Sequence, residues 1–519
     1  MSKKTFVKTL FCVLIGLFFI PYQMQAAEQD FLVSKIKLTG NSVLSSQNIA
    51  PLLNQYEGKR LTFAQLKDVA ALVTKEYHDK GYILAKVYIP EQKIANGIIE
   101  LVVLEGKIGQ IKLQGKHDYY SDDFIKKHFN PVIKAGALNQ DKLEWALLVL
   151  NEYPKLEVTA TLEAGSQPGT TDILVTAKNS MPINFTVDYN NFGSKYTSVN
   201  RYGATLDVGN FITEGAIFSV RGTVGDDPSE MAYGRVSYSM PVNELGTKVG
   251  AYYTRGTSDV GRELAVLQIK GDSESYGFFI NHPILKKRQY KLDVEVSFDA
   301  KNTKQEILDT ITSTDKVRSV KGGLLFASTD TVGRDFVSFF VTQGLGETLG
   351  AMKNDSTLSS RAGVGANNSF TKYNLDAMRL QKIVSSLYLI MKGSAQWAST
   401  SLVASEQFGI GGPDTVRGFP SSEYVGDDGF ALTAELRVAP FENKENYQLA
   451  FFVDHGGMSL KEALPGQTKS ATITGGGGGI RVKLPYDIDL KADVGFPLDP
   501  SKSSEGKAPV YYIQVAKKF

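Results

Sequence analysis

Beyond about residue 181, apolar and polar residues alternate one by one along the chain. In 183–190, Ile183, Phe185, Val187 and Tyr189 interleave with Asn184, Thr186, Asp188 and Asn190. In 430–438, Phe430, Leu432, Ala434, Leu436 and Val438 interleave with Ala431, Thr433, Glu435 and Arg437. Successive side chains of a strand point to opposite faces, so this period of two makes one face apolar and the other polar. Residues 31–178 read differently. Residues 33–38 (VSKIKL) alternate and turn at Gly40-Asn41, and a helix opens at Ser46. Thr62 is placed to N-cap a second helix that carries Leu66, Val69, Ala70 and Val73 at helical spacing and stops at Lys80-Gly81. Strands over 84–89 and 98–104 complete a β-α-α-β-β unit. The same order repeats about 75 residues later, from the strand 108–113 (IGQIKL) and helices at Ser121 and 141–150 to strands at 156–162 and 172–177.

A soluble sandwich would alternate too, but two features favour a membrane barrel. The alternating segments run to about ten residues, the length a tilted strand needs to cross a bilayer. Connections also alternate between tight ones (240–243, 440–445) and long polar ones (406–428, 460–470), as short periplasmic turns and longer outer loops do. The expected fold is mainly β: a transmembrane antiparallel β-barrel of about 16 strands preceded by two small α+β (β-α-α-β-β) domains. Segments 264–269 and 301–319 are ambiguous in that count. The last strand, 511–519, alternates and ends on the aromatic Phe519.

The first residues are excluded from the fold. Lys3, Lys4 and Lys8 precede the apolar run 10–20, and small residues follow at Ala26-Ala27, the layout of a secretory signal peptide. The run of about eleven apolar residues falls short of the ~20 that span a bilayer as a helix. The resulting division is 1–27 signal peptide, 28–106 and 107–180 the two α+β domains, and 181–519 the barrel with the loop 406–428 folded inward. The single cysteine, Cys12, lies in the excluded segment, so thiol chemistry and disulfides are ruled out of the mature chain. A net charge of +2 and a mean hydropathy of −0.15 fit a barrel whose two faces average out, and give no support to nucleic-acid binding.

Catalytic signatures are missing. His78, His117, His128, His282 and His455 are scattered without metal-ligand spacing, and neither Gly-x-Ser-x-Gly nor His-Glu-x-x-His occurs. The run Gly475 to Gly479 lacks the Lys-Ser/Thr of a phosphate loop and reads as a lumen-facing or closely packed strand. Asp226-Asp227 and Asp427-Asp428 read as solvated turns. No catalytic residue, cofactor or metal site is expected.

Two β-α-α-β-β units ahead of a barrel resemble paired POTRA (polypeptide-transport-associated) domains. Residues 408–419 (FGIGGPDTVRGF) are similar to the signature loop of the POTRA-barrel insertases and translocases, with the core Val416, Arg417, Gly418 and Phe419 between the eleventh and twelfth strands. Residues 452–456 (FVDHG) match that superfamily's Phe-x-Asp-x-Gly motif on the thirteenth strand, through Asp454 and Gly456. Two POTRA units and about 16 strands resemble the two-partner secretion transporters, the TpsB family of haemolysin/haemagglutinin secretion-activation type. The resemblance implies an outer-membrane pore of a diderm bacterium with periplasmic POTRA domains. Such a pore passes an unfolded exoprotein, a TpsA-like adhesin or haemolysin, without ATP. The other implied partners are outer-membrane lipid and the barrel assembly machinery, which reads Phe519 as an assembly signal; a monomer is expected. It also implies that Arg417 meets Asp454 inside the barrel, with Glu435 and Arg437 as further lumen partners. Some members carry a plug helix before the first POTRA domain; here only a few residues separate the expected cleavage site from strand one, and none is expected. The alternatives are a barrel insertase, disfavoured by only two POTRA units, and a plain porin or receptor.

Overall fold

The computed structural model describes residues 30–441 and 446–519. The expectations of a signal peptide and of no plug helix rest on residues outside these, as does Cys12. Among the described residues no helix is long and apolar enough to cross a membrane. The chain divides into two compact units. Of the described residues, one comprises those up to Gly109 with Ala135–Gln140 and Gly165–Thr171; the other comprises those of Gln110–Lys134, Asp141–Ala164 and Asp172–Phe519.

In the first unit, β1 (Asp30–Val33), β2 (Lys35–Thr39), α1 (Ser46–Asn54), β3 (Lys59–Thr62), α2 (Phe63–Asp79), β4 (Lys86–Tyr88) and β5 (Ile98–Leu104) follow in order. The sheet order is β2-β5-β4, with β2 and β5 parallel. The small β1-β3 ribbon is an element that hydrophobic alternation did not reveal, because each strand has four residues. Thr62 caps α2 through a complete capping box with Gln65, which satisfies two helix N-terminal amides. The helical stripe Leu66, Val69, Ala70 and Val73 lies buried with Ile99, Leu101 and Val103 of the sheet. Burial of Glu105 is made tolerable by donors from Ser42 N (2.7 Å), Val43 N (2.9 Å) and the Tyr77 hydroxyl (3.0 Å).

The repeat contributes β6 (Lys107–Gln114), α3 (Asp122–Lys127), α4 (Asn130–Ile133), α5 (Gln140–Leu150), β7 (Leu156–Ala164) and β8 (Thr170–Asn179), in sheet order β6-β8-β7. His128 sits at its centre, 1% exposed between the Phe124 and Tyr153 rings. Its Nδ1 lies 2.7 Å from the Phe124 carbonyl, which can only accept, so Nε2 accepts from the Tyr153 hydroxyl at 2.8 Å. Within the second compact unit, α5 docks on barrel turns by charge and shape. Glu152 meets Lys286 at 2.6 Å, with Lys248 and Lys291 close by, and the Trp145 indole donates to the Leu245 carbonyl at 3.1 Å.

The barrel begins with β9 (Ile183–Asn190), β10 (Arg201–Gly209), β11 (Ile217–Val224), β12 (Met231–Pro241), β13 (Lys248–Asp259) and β14 (Lys270–Lys286). It continues with β15 (Tyr290–Ile307), β16 (Thr310–Thr329), β17 (Gly333–Gly344), β18 (Thr371–Val384) and β19 (Leu387–Ala398). A short hairpin, β20 (Phe408–Ile410) and β21 (Tyr424–Gly426), stands apart. Then come β22 (Asp428–Val438), β23 (Tyr447–Ser459), β24 (Ser470–Leu484), β25 (Ile488–Pro497) and β26 (Val510–Lys518). The eleven strands to β19 and the five from β22 close into one antiparallel barrel of 16, the expected number. Closure pairs Gln514–Lys518 with Thr186–Asn190, and the Phe519 amide extends the seam to the Phe185 carbonyl at 2.9 Å. The alternation holds: Phe451 and Val453 face outward, 54% and 53% exposed, while Phe452 and Asp454 between them are buried in the lumen.

The two ambiguous segments resolve differently. Residues 301–319 are the outer ends of β15 and β16, which run on as a hairpin after β16 leaves β17 at Ser319. Beyond the bilayer no face must be apolar, so KNTKQEILDTITSTDK carries no clean period. Residues 262–267 form a 3-10 turn, not a strand, despite the apolar Leu264-Ala265-Val266-Leu267.

Burial pushes the His128 imidazole down to about 4 from 6.5, outweighing the Phe124 carbonyl, which would favour the charged ring. A depressed histidine value means that stability is complete above pH 6.5 and is lost as pH falls toward 4. The loss should reach roughly 3 kcal/mol. Amide exchange of the full-length protein should show protection of α3 and α5 falling across that window in wild type and not in His128→Gln; flat wild-type protection would exclude it.

Candidate functional site

The outer connection between β19 and β22 turns back into the lumen instead of projecting outward. Its tip is shaped by local bonds. The Thr415 hydroxyl accepts from the Gly411 amide and donates to the Gly411 carbonyl, both at 2.9 Å, while the Gly412 amide reaches the Val416 and Phe419 carbonyls at 3.1 Å. Gly418 takes φ +97°, a conformation that a side chain would strain, and this turn aims Arg417 and Phe419 in different directions. Phe419 is fully buried with Ile410, Val416, Met458 and Ile473.

Arg417, 4% exposed, forks onto Asp454: Nε to Oδ2 at 2.7 Å and Nη2 to Oδ1 at 3.0 Å. The Arg417 amide adds a third bond to Asp454 at 3.1 Å. Nη1 donates to Glu435 at 2.7 Å and lies 3.4 Å from Asp493. The guanidinium plane stacks on Phe452, 3.4 Å from the ring centre. A planar, permanently charged fork suits this site, because a lysine ammonium could satisfy neither the bidentate carboxylate nor the stacking. Glu435 is shared by Arg437 (2.7 Å) and Arg481 (3.1 Å), and Asp493 by Arg481 (2.6 Å) and Lys491 (3.6 Å). Four cations thus face three carboxylates, which leaves no negative surplus to hold a metal ion.

The site residues expected from sequence are therefore together, with graded roles in the geometry. Arg417 and Asp454 are the direct pair, Glu435 the second partner, and Arg437 pairs with Glu435. Gly456 lets Val416 approach: a Cβ there would lie 2.9 Å from Val416 Cγ2. Phe519 is remote from the lumen, packed against Phe185 at the seam.

Sequence reasoning missed Asp493, Arg481 and Tyr512, whereas the glycine run 475–479 is the closely packed strand stretch it was read as. Gly475 faces the tip so closely that a Cβ would sit 1.8 Å from the Arg417 carbonyl oxygen, and one on Gly495 would sit 2.5 Å from the Gly418 amide. The Tyr512 hydroxyl accepts from the Gly418 amide (3.1 Å) and donates to the Phe419 carbonyl (3.0 Å). The period-two register places Asp493 and Arg481 on the lumen face, so alternation carried a signal, but not that these residues meet.

Both roots of the loop are also clamped. Glu406 is held by Lys301 (2.6 Å) and Lys372 (2.7 Å). Asp427, read from sequence as part of a solvated turn, is fully buried: it accepts from Arg361 (2.6 Å), the Leu402 and Lys461 amides (both 2.9 Å) and Gln407 (3.2 Å). The correction has a tertiary cause, since Arg361 comes from the long 345–370 loop, which alternation passed over.

Two family models match the chain: haemolysin secretion/activation protein ShlB/FhaC/HecB over residues 169–482, and the ShlB-type POTRA domain over 31–106. The heme/hemopexin transporter protein HuxB of Haemophilus influenzae (strain 86-028NP) is 22% identical over 512 residues, covering 96% of this chain and 89% of that protein. The solved structure of CdiB from Escherichia coli superposes with a TM-score of 0.79 at 20% identity, covering 97% of this chain and 93% of the other. CdiB from Acinetobacter baumannii gives 0.74 at 18% identity, with 94% and 90% covered. The chain belongs to the ShlB/FhaC/HecB family of haemolysin secretion/activation proteins, outer-membrane transporters of two-partner secretion with periplasmic POTRA domains.

Proposed function

We propose that the exported polypeptide reaches the POTRA domains unfolded, adds to them as a strand, and passes through the lumen once the inward loop leaves its seat. The observation that carries this reading is the loop itself: a polar barrel obstructed by a segment held through ion pairs at its tip and at both roots. Strand addition has an opening at β4, an edge strand of the first sheet. A groove of about 520 Å³ runs between β4 and α2, lined by Phe63, Ala70, Val87 and Ile89 among others. Main-chain bonds at such an edge accept many sequences. The cargo is a large adhesin- or haemolysin-like exoprotein, its folding outside supplies the free energy, and the chain acts as a monomer without catalysis. HuxB is named for heme/hemopexin transport, which makes a haem-capture exoprotein a further candidate.

Arg417 and its carboxylates hold the loop, and the docked loop supports β22–β26 from inside. Removing one partner of a buried pair leaves an uncompensated charge, at a cost of about 3–5 kcal/mol. Arg417→Ala should leave the barrel inserted, judged by heat-modifiable gel migration, while export drops by more than about tenfold, the factor that 1.4 kcal/mol represents. Gly475→Ala changes no charge but displaces the tip, and should reproduce the defect. Export at the wild-type level by both variants would sink the lock.

Proteoliposomes holding the purified protein should translocate a urea-unfolded exoprotein without nucleotide, and a strict requirement for ATP would refute the energy source. Mass spectrometry of medium and outer membrane, with and without the gene, identifies the cargo. One or two large proteins should vanish from the medium or cell surface. A general fall in other barrel proteins would instead mark an insertase.

A further inference from the structure

The periplasmic end of the lumen is strongly basic. A cavity of about 820 Å³ opens there, lined by residues of β16–β19 on one wall and β22–β26 on the other. Six of its side chains are cationic, namely Arg334, Lys382, Arg437, Arg481, Lys483 and Lys491, against the carboxylates Asp330 and Asp489. Setting aside the groups already paired leaves three cations against Asp489, the same three-to-one excess. Arg437, Arg481 and Lys491 are committed to Glu435 and Asp493, and Asp330 is committed to Arg379. Arg334, Lys382 and Lys483 are exposed to the lumen mouth and make no ion pair among the described residues.

We propose that this vestibule receives acidic segments of the unfolded polypeptide as it enters the barrel. The inference rests on the transport reading and adds to it the chemistry of the segment that enters. Fixed charges of one sign inside a low-dielectric wall focus the field into the opening and concentrate oppositely charged groups there. The field reaches about 8 Å at physiological ionic strength, far enough to meet a chain threading the mouth. Free Arg and Lys side chains bind carboxylates by charge-assisted hydrogen bonds without demanding one sequence. Lys- and Arg-rich stretches are repelled, so the mouth favours acidic segments over basic ones at entry.

The test uses the full-length protein in nanodiscs and fluorescent Gly/Ser peptides of equal length that carry Glu, Lys or neither, each with a photo-crosslinker. At low salt the Glu peptide should bind at least about tenfold tighter than the neutral one, lose that advantage as salt rises, and crosslink to 380–392 and 481–491. Arg334→Gln/Lys382→Gln/Lys483→Gln should bring it to the neutral level, and Arg334→Glu/Lys382→Glu should shift the preference toward the Lys peptide. Equal affinities, a preference that survives the triple substitution, or crosslinks confined to the POTRA domains would overturn the proposal. Export is read separately, in cells with and without the gene. A wild type that exports its cargo yet shows no acidic preference defeats the vestibule alone. Unchanged export on deletion defeats the transport reading.

Discussion

Hydrocarbon offers no hydrogen-bond partner to a peptide group, and the architecture follows from that deficit. Sixteen strands close on themselves so that no edge faces lipid, with β26 returning to β9. Closure forces one face of every strand inward, and that face is polar because the other must be apolar. A largely polar interior is thus a consequence of the bilayer.

The inward loop lies in that interior, seated by buried charge. An ion pair in that setting contributes little net stability but is very sensitive to geometry, because a missing partner is so costly. Arg417 meets three carboxylates from three strands, β22, β23 and β25, so seating the loop ties these walls together. The glycines of β24 and β25 make the approach possible by leaving no Cβ in the path of the tip. Glu406 and Asp427 repeat the device at the roots. A segment held by a few strong, geometrically demanding contacts can be firmly seated and still be released as a unit, in a way that a broad apolar interface cannot.

Charge also organises the periplasmic side of the second compact unit. Acidic Glu152 at the end of α5 collects Lys248, Lys286 and Lys291 from barrel strands that meet at adjacent turns. The same end of the barrel carries the basic mouth, on strands β16–β19 and β22–β26. Basic residues near the inner rim thus fall into two groups: some are neutralised in docking, and Arg334, Lys382 and Lys483 stay exposed at the mouth.

Alternation, read together with strand length and the short-long order of the connections, determined the barrel and its inward and outward faces, because lipid imposes a period of two on every crossing residue. Local signals determined helix α2: the Thr62 cap and the helical spacing of Leu66, Val69, Ala70 and Val73 needed no tertiary context. Outside the bilayer that rule lapses, which is why 264–269 and 301–319 were ambiguous and the 345–370 loop was illegible. The motif residues Arg417 and Asp454 were legible through resemblance, and register placed Asp454 inward. Only the folded chain could show that Asp493, Arg481, Gly475 and Tyr512 complete the site, or that Asp427 is buried under Arg361. Those residues are dispersed along the chain and become neighbours through barrel closure and loop insertion, and a contact made by closure leaves no local pattern to read.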